Sequence, residues 1–528
     1  MGLLRHVGTI SSLTMVSRIA GLAREMIFSR VLGANAATDA FLQAFILPNV
    51  FRRLFAEGAF SAAFVPMFSR RVKQGEDDGE DGHQLAAQFS NDVLSVFLPA
   101  LIILCAIAEI AMFPIIWLWS PEWRGDADQL AFATDLARIT FPYIALVSLV
   151  TLFTGMLNSV SRFAPGASFP IILNLVLIAA LGLGHYWMGQ GAELRDAVYL
   201  LAAAVTAAGV LQLAWLYYWV RVAGFKPSLQ IPKITPEVKR LSWIALPAAF
   251  GAGAYQINTL VQVYFLNALE GSNVTYMNYA DRLNQLPLGI IGIALATAIL
   301  PSLSKHIAAD EKEGASKVQS DAIELAMLLT LPAAVAMAIC GTPFITIIFE
   351  GGRFTADDAA VSGSILTALV FGLPAYVLVK VLVPGFYARQ DTRTPVYAAL
   401  LSLAVFIAFN LAFLERFGVV GVAAASAIGA WLNVVMLYTI LFNRGHYTAP
   451  LRLFGRIARQ LVAAAIMGGA LYYLQDLLTG FYGAGLVERI AALAALCGAG
   501  AGIYFAVAFL VGALDRTTIA KLVKRKSA

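Results

Sequence analysis

Apolar residues along this chain gather into long continuous runs rather than alternating stripes, separated by short polar connectors. A helix that crosses a bilayer needs about 20 mostly apolar residues. Fourteen stretches qualify, at 7–33, 36–69, 88–119, 130–160, 165–188, 195–222, 237–268, 272–304, 320–349, 355–387, 394–415, 418–443, 455–476 and 485–513. The first, second and eighth are the most polar because they carry charges. No connector is long enough to form a soluble domain. The longest, RRVKQGEDDGEDGHQLAA at 70–87 and the segment 305–319, read as solvated links, in part helical. The pattern predicts an all-α polytopic membrane protein with 14 transmembrane helices.

Composition agrees. The 528 residues are 59% hydrophobic and 13% charged, with a mean hydropathy of +0.76. Soluble proteins average about 45–50% apolar and about 25% charged, so lipid is the natural solvent. The N-terminal MGLLRHVGTISSLTMVSRIAGLAREMIF lacks the clean apolar core of a signal peptide. It is expected to be a retained first span. A net charge of +5 is too small and dispersed for a nucleic-acid footprint. Cys105, Cys340 and Cys497 fall in separate apolar runs, with no disulfide or zinc spacing.

Lysine and arginine set the orientation. With an even number of spans both termini share a side. The connectors and flanks on that side carry 24 basic residues, against five opposite (Arg124, Arg195, Arg353, Arg416 and Arg489). Both termini are therefore expected in the cytoplasm. Eight basic residues remain within spans: Arg18, Arg24, Arg30, Arg52, Arg53, Arg138, Arg282 and Lys380.

The chain also repeats itself. LPNVFRRLFAEGAFSAAFVPMFSR (47–70) and LPLGIIGIALATAILPSLSK (286–305) share a Leu-Pro near mid-span and a closing proline, Pro66 matching Pro301. The related spans are six apart, so the repeats are parallel. Transporters use such repeats to rock around a central site. The division expected is an N-terminal lobe at 1–222, a C-terminal lobe at 223–443, and an appended helix pair with a cytoplasmic tail at 444–528. The two six-helix lobes would be pseudo-symmetric.

An arginine at bilayer depth costs about 2.5–3.5 kcal/mol on insertion scales, so it needs water, a partner or an anionic ligand. Arg18 and Arg24 lie in the first span, Arg52 and Arg53 in the second, and Arg282 at the corresponding depth of the eighth. They are expected to converge on a cleft between lobes. Arg53 and Glu57 are four apart and share a helical face. Asp39 is a candidate counter-ion for Arg18 or Arg24. With both acids counted, positive charge remains in excess, which implies an anionic ligand. Guanidinium forks suit a diphosphate. Ser11 with Arg18, and Ser17 with Arg24, extend a polar stripe along the first span. Arg30 is placed to snorkel from a helix end, and Arg138 and Lys380 are open to the same reading.

Catalytic constellations are missing. The five histidines are scattered, and there is no P-loop, HExxH or nucleophile elbow. Asp357-Asp358 reads as a helix N-terminal pair rather than a metal site. No enzymatic activity, cofactor or metal is expected. Transport would draw on an ion gradient, the membrane potential or substrate consumption.

Four segments carry a family resemblance: SSLTMVSRIAGLAREMIFSRVLGA (11–34), ATDAFLQAFILPNVFRRLFAEGAFSAAFVP (37–66), YADRLNQLPLGIIGIALATAILPSLSK (279–305) and VKVLVPGFYARQDTRTPV (379–396). They resemble the MurJ (MviN) lipid II flippases of the multidrug/oligosaccharidyl-lipid/polysaccharide exporter superfamily, and the match spans essentially the whole chain. The resemblance implies a fourteen-helix inner-membrane protein that moves undecaprenyl-diphosphate-linked disaccharide-pentapeptide to the outer leaflet by alternating access. It implies a cationic cavity whose motif positions here are Arg18, Arg24, Arg52 and Arg282. Asp39, Arg53 and Glu57 would be charge partners or gating residues, and the last two helices a groove for the lipid tail. Membrane lipids are the other expected partners, with proteins of cell-wall synthesis a further possibility. This chain departs from some relatives at Gln285, where they carry an acid, and shows no clear sodium site. The rival readings are a flippase for another polyprenyl-diphosphate oligosaccharide such as O-antigen, and a non-transporting scaffold of the cell-wall machinery.

Overall fold

The computed structural model describes residues 2–54, 60–78 and 82–514. Within these, the side chains of 2–7, 11, 51, 53, 54, 61, 62, 75–78, 246–255, 293 and 486 are left out. The described residues form an all-helical fold. Among the described residues the one extended pairing is a single antiparallel bridge between Gly351 and Phe354. Two compact units divide it, Met1–Thr275 and Tyr276–Ala528.

The first unit opens with α1 (Gly2–Leu32), α2 (Ala36–Leu54), α3 (Phe60–Asp78) and α4 (Gly82–Trp119). It continues through α5 (Ala127–Thr140), α6 (Tyr143–Ser159), α7 (Ala164–Gly189), α8 (Leu194–Val222), α9 (Pro236–Leu266) and the first turn of α10 (Asn273–Pro287). Local chemistry sets these boundaries. The Asn35 side chain accepts from the amides of Ala37 and Thr38, so it caps α2. Asp126 caps α5 through Gln129, and Thr235 caps α9 with Pro236 in the first turn. Glu193 and Asp196 form a reciprocal capping box at α8.

Pro48 lies inside α2 and has no amide hydrogen to give the carbonyl of Ala44, four residues earlier. The Thr140 hydroxyl of α5 takes that carbonyl instead, at 3.1 Å. The proline break is thus satisfied by a neighbouring helix, and α2 and α5 are tied at this depth. The core of the unit is aromatic: Phe60 stacks on Phe64 and Phe97, and Phe64 on Phe89, with ring centroids 5.1–5.6 Å apart.

The second unit takes up α10 from Tyr276 and leaves it through a five-residue π turn, Leu288–Gly292, directly after Pro287. Then come α11 (Ile293–Ala308), α12 (Lys312–Ile339), α13 (Gly341–Phe349), α14 (Ala356–Val370) and α15 (Leu373–Tyr387). The unit ends with α16 (Arg393–Asn443), α17 (Leu451–Leu477), α18 (Thr479–Tyr482) and α19 (Leu486–Leu510). At 51 residues α16 is too long for one crossing, and Gly418, at φ 53° and ψ −144°, bends it into two arms. Few residues other than glycine adopt that backbone. The last pair, α17 and α19, pack on each other, and α17 docks on α12. There Arg456 ion-pairs with Glu324, and Gly468 lets Val335 and Ile339 approach.

Every apolar stretch read from the sequence coincides with one helix, or two in tandem, over its described residues. The polar link at 70–87 is helical up to Asp78 and again from Gly82. Ten helical stretches among the described residues are long and apolar enough to cross a membrane. Their outer faces carry exposed Ile110, Leu411, Tyr473 and Leu510, as lipid-facing surfaces do.

Candidate anion-binding site

The arginines of the predicted spans occupy different environments. On α1, which packs along α7, Arg18 is exposed and flanked by exposed Met15, Ile19 and Leu22. It forms no ion pair among the described residues. On the inner side of α1, the Asn174 amide of α7 donates to the Ser17 carbonyl at 3.2 Å and lies against Gly21. Arg18 lies on the flank of this packed face and stays exposed.

Arg24 differs. It ion-pairs with its neighbour Glu25, and the two side chains are 13% and 7% exposed. Sequence reasoning missed this acid because residues one apart on a helix do not normally face each other. Arg52 is half-buried on α2, and its Nε donates to Asn49 Oδ1 at 3.3 Å, one turn back. Arg282 is exposed on α10. The adjacent Asp281 accepts from Gln285, four residues on.

Asp39 is buried and makes no ion pair with Arg18 or Arg24 among the described residues. Its carboxylate accepts from the amides of Val274 at 3.0 Å and Thr275 at 2.9 Å, and from the Thr275 hydroxyl. It therefore caps the start of α10, where free amides and the helix dipole favour an anion. Glu57 lies outside the described residues, as does the Arg53 side chain.

Two further sequence features resolve clearly. Asp358 caps α14 reciprocally with Thr355, so the Asp357-Asp358 pair is a helix start. No metal-binding cluster occurs among the described residues. In the 379–396 motif, Asp391 accepts from the Thr394 hydroxyl at 2.6 Å, the Thr394 amide at 3.0 Å and Arg444 at 2.6 Å. Those bonds hold its carboxyl well below the usual carboxylate range, the Thr394 hydroxyl first and Arg444 after it. Arg389 donates to the carbonyls of Gly385 and His446. The motif locks the α15–α16 turn to the far end of α16. Within the span, the Lys380 stem fills the space that a side chain at Gly292 would take, against the π turn.

A family profile described as "Lipid II flippase MurJ" matches residues 28–492. A "Probable lipid II flippase MurJ" of Rhizobium meliloti (strain 1021) is 40% identical, covering 99% of this chain and 97% of its own length. One of Rhizobium tropici is 39% identical, covering 100% and 97%. Among solved structures, "Lipid II flippase MurJ, inward closed conformation" superposes with a TM-score of 0.76 at 24% identity, over 95% of this chain and 98% of that one.

Proposed function

This chain belongs to the lipid II flippase MurJ family, and from that premise we propose that it carries the lipid-linked peptidoglycan precursor across the membrane. The cargo is a polyprenyl-diphosphate glycolipid, lipid II, moved from the inner to the outer leaflet. What supports this reading beyond family membership is Arg18, an exposed guanidinium in a predicted span with no carboxylate partner among the described residues. A permanently charged donor fork held there suits a diphosphate.

The finer architecture is fourteen crossings. The ten apolar stretches, α16 taken as two arms, and α1, the α2–α3 pair and α9 together supply that number. Both termini then lie in the cytoplasm, by the distribution of lysine and arginine, and the membrane is the bacterial cytoplasmic one. Arg18, Arg24, Arg52 and Arg282 serve as the diphosphate-binding cations. Asp39 positions α10, the helix that bears Arg282, and Arg53 and Glu57 act with it in charge balance. The prenyl tail stays in lipid beside α17 and α19, whose exposed residues include Leu461, Ile466 and Phe509.

The cycle is alternating access. Neutralising the cations with a diphosphate lowers the cost of enclosing them, and opening to the other side releases the headgroup. The membrane potential biases the return of the empty cationic site, by about 2.3 kcal/mol per charge per 100 mV. The test is depletion of the protein in growing cells. Labelled lipid II should become inaccessible to an externally added degrading enzyme, and unchanged accessibility would refute the assignment.

A further inference from the structure

A cavity of about 570 Å³ opens in the first unit, at the end where α1 begins, α6 gives way to α7, and α8 finishes. Leu13 of α1, Pro165 of α7, and Trp215 and Trp219 of α8 supply its apolar walls. Among the described residues its one formally charged lining residue is Arg162, and no carboxylate lines it.

The site is built rather than incidental. The Arg162 amide donates back to the Leu157 carbonyl at 2.9 Å, after Ser161 at φ 60°, which fixes the base of that side chain at the helix end. The guanidinium itself is exposed and forms no ion pair among the described residues. The N-cap residue of the 26-residue α7 is Phe163, whose side chain makes no capping hydrogen bond, and Phe163, Ala164 and Pro165 at that positive helix end line the same space. Ser168 donates to the Pro165 carbonyl at 3.1 Å and accepts from the Trp215 indole at 3.1 Å, which orients that ring. The Trp219 indole nitrogen, by contrast, is buried with no acceptor among the described residues. That nitrogen has no exposed surface, so Trp219 lines the cavity with its apolar ring atoms.

A cation and a positive helix end beside aromatic, apolar walls suit a phosphate that carries an apolar tail. Paired tryptophans at the end of membrane-crossing helices mark the interfacial level, where headgroups lie. Exposed Leu211, Tyr218 and Val222 on α8 offer the adjoining surface to acyl chains. We propose that this cavity binds the phosphate headgroup of an anionic phospholipid, separately from the transported substrate. With the orientation proposed above, that lipid belongs to the cytoplasmic leaflet.

The test uses the full-length protein in detergent, titrated with short-chain phosphatidylglycerol, phosphatidylcholine or inorganic phosphate, with binding read from indole fluorescence. Phosphatidylglycerol should saturate roughly tenfold more tightly than phosphatidylcholine, the scale of one charge-assisted contact. Arg162→Gln should erase that preference, while Arg162→Lys, which keeps the charge, should retain most of it and show that the fold survives. Arg221→Gln, a neighbouring exposed cation outside the cavity, should change nothing. Equal affinity for the two lipids, or undiminished selectivity in Arg162→Gln, would overturn the proposal. Competition by inorganic phosphate at lipid-like concentrations would overturn the lipid assignment in favour of a soluble ligand. Because no transport is measured, failure here leaves the flippase reading intact.

Discussion

Arg18 and Arg24 sit six residues apart on one helix yet differ in what removing them should do. Arg18 is exposed without an acid, so its charge is available to a ligand. Arg18→Ala should lower flipping about 10-fold to 100-fold, the worth of a charge-assisted contact, with little change in thermal stability. Arg24 is held against Glu25 with both groups largely buried. Breaking one partner of such a pair typically costs about 3–5 kcal/mol. Glu25→Ala should therefore depress the melting temperature in detergent far more than Arg18→Ala does, and a melt of the two variants side by side checks the order. The arginines themselves were legible in the sequence, because a guanidinium inside an apolar run stands out. Glu25 was not, since adjacent residues point to different sides of an ideal helix. Nor was the role of Asp39: an acid that caps a helix 235 residues further along the chain leaves no local signature.

At the scale of elements, hydropathy located the helices because burial in lipid demands continuous apolar runs, and Gly418 separates the two arms of α16 where the reading split them. The irregular joints were less visible. A π turn differs from regular helix by a single longer hydrogen bond, so Leu288–Gly292 reads as ordinary apolar sequence. The Pro48 break was legible, but its remedy was not, because Thr140 lies on another helix. That remedy is testable by a double-mutant cycle. Thr140→Val should cost about 1–3 kcal/mol by orphaning the Ala44 carbonyl. In a Pro48→Ala background, where residue 48 regains its amide, the same change should cost much less. Equal costs in thermal melts of the four proteins would contradict the account.

The turn between α15 and α16 lies outside the spans and carries a pH prediction. Asp391 has a folded pKa below its unfolded value, so its contribution is fully present above about pH 4 and is lost as pH falls through the folded value. His446 is also lowered, by burial and then by Arg389 and Arg444, so it too favours the folded state less as acid is added below about pH 6.5. Melting temperature should decline on acidification, and Asp391→Asn should flatten the part of that decline below about pH 4.

For the whole molecule, the central claim is that cations at membrane depth in both units handle a diphosphate lipid. Compactness divides the chain at Thr275, so Arg18, Arg24 and Arg52 belong to one unit and Arg282 to the other. Substituting a residue from either unit should then impair the same activity. The most direct measurement is flipping of fluorescent lipid II in vesicles holding the purified protein, read as the label's protection from a membrane-impermeant quencher. The account predicts rapid exchange with the intact protein, and a loss of about 10-fold or more with Arg18→Ala and with Arg282→Ala alike, in proteins that fold and insert normally. Undiminished flipping in both variants would contradict it.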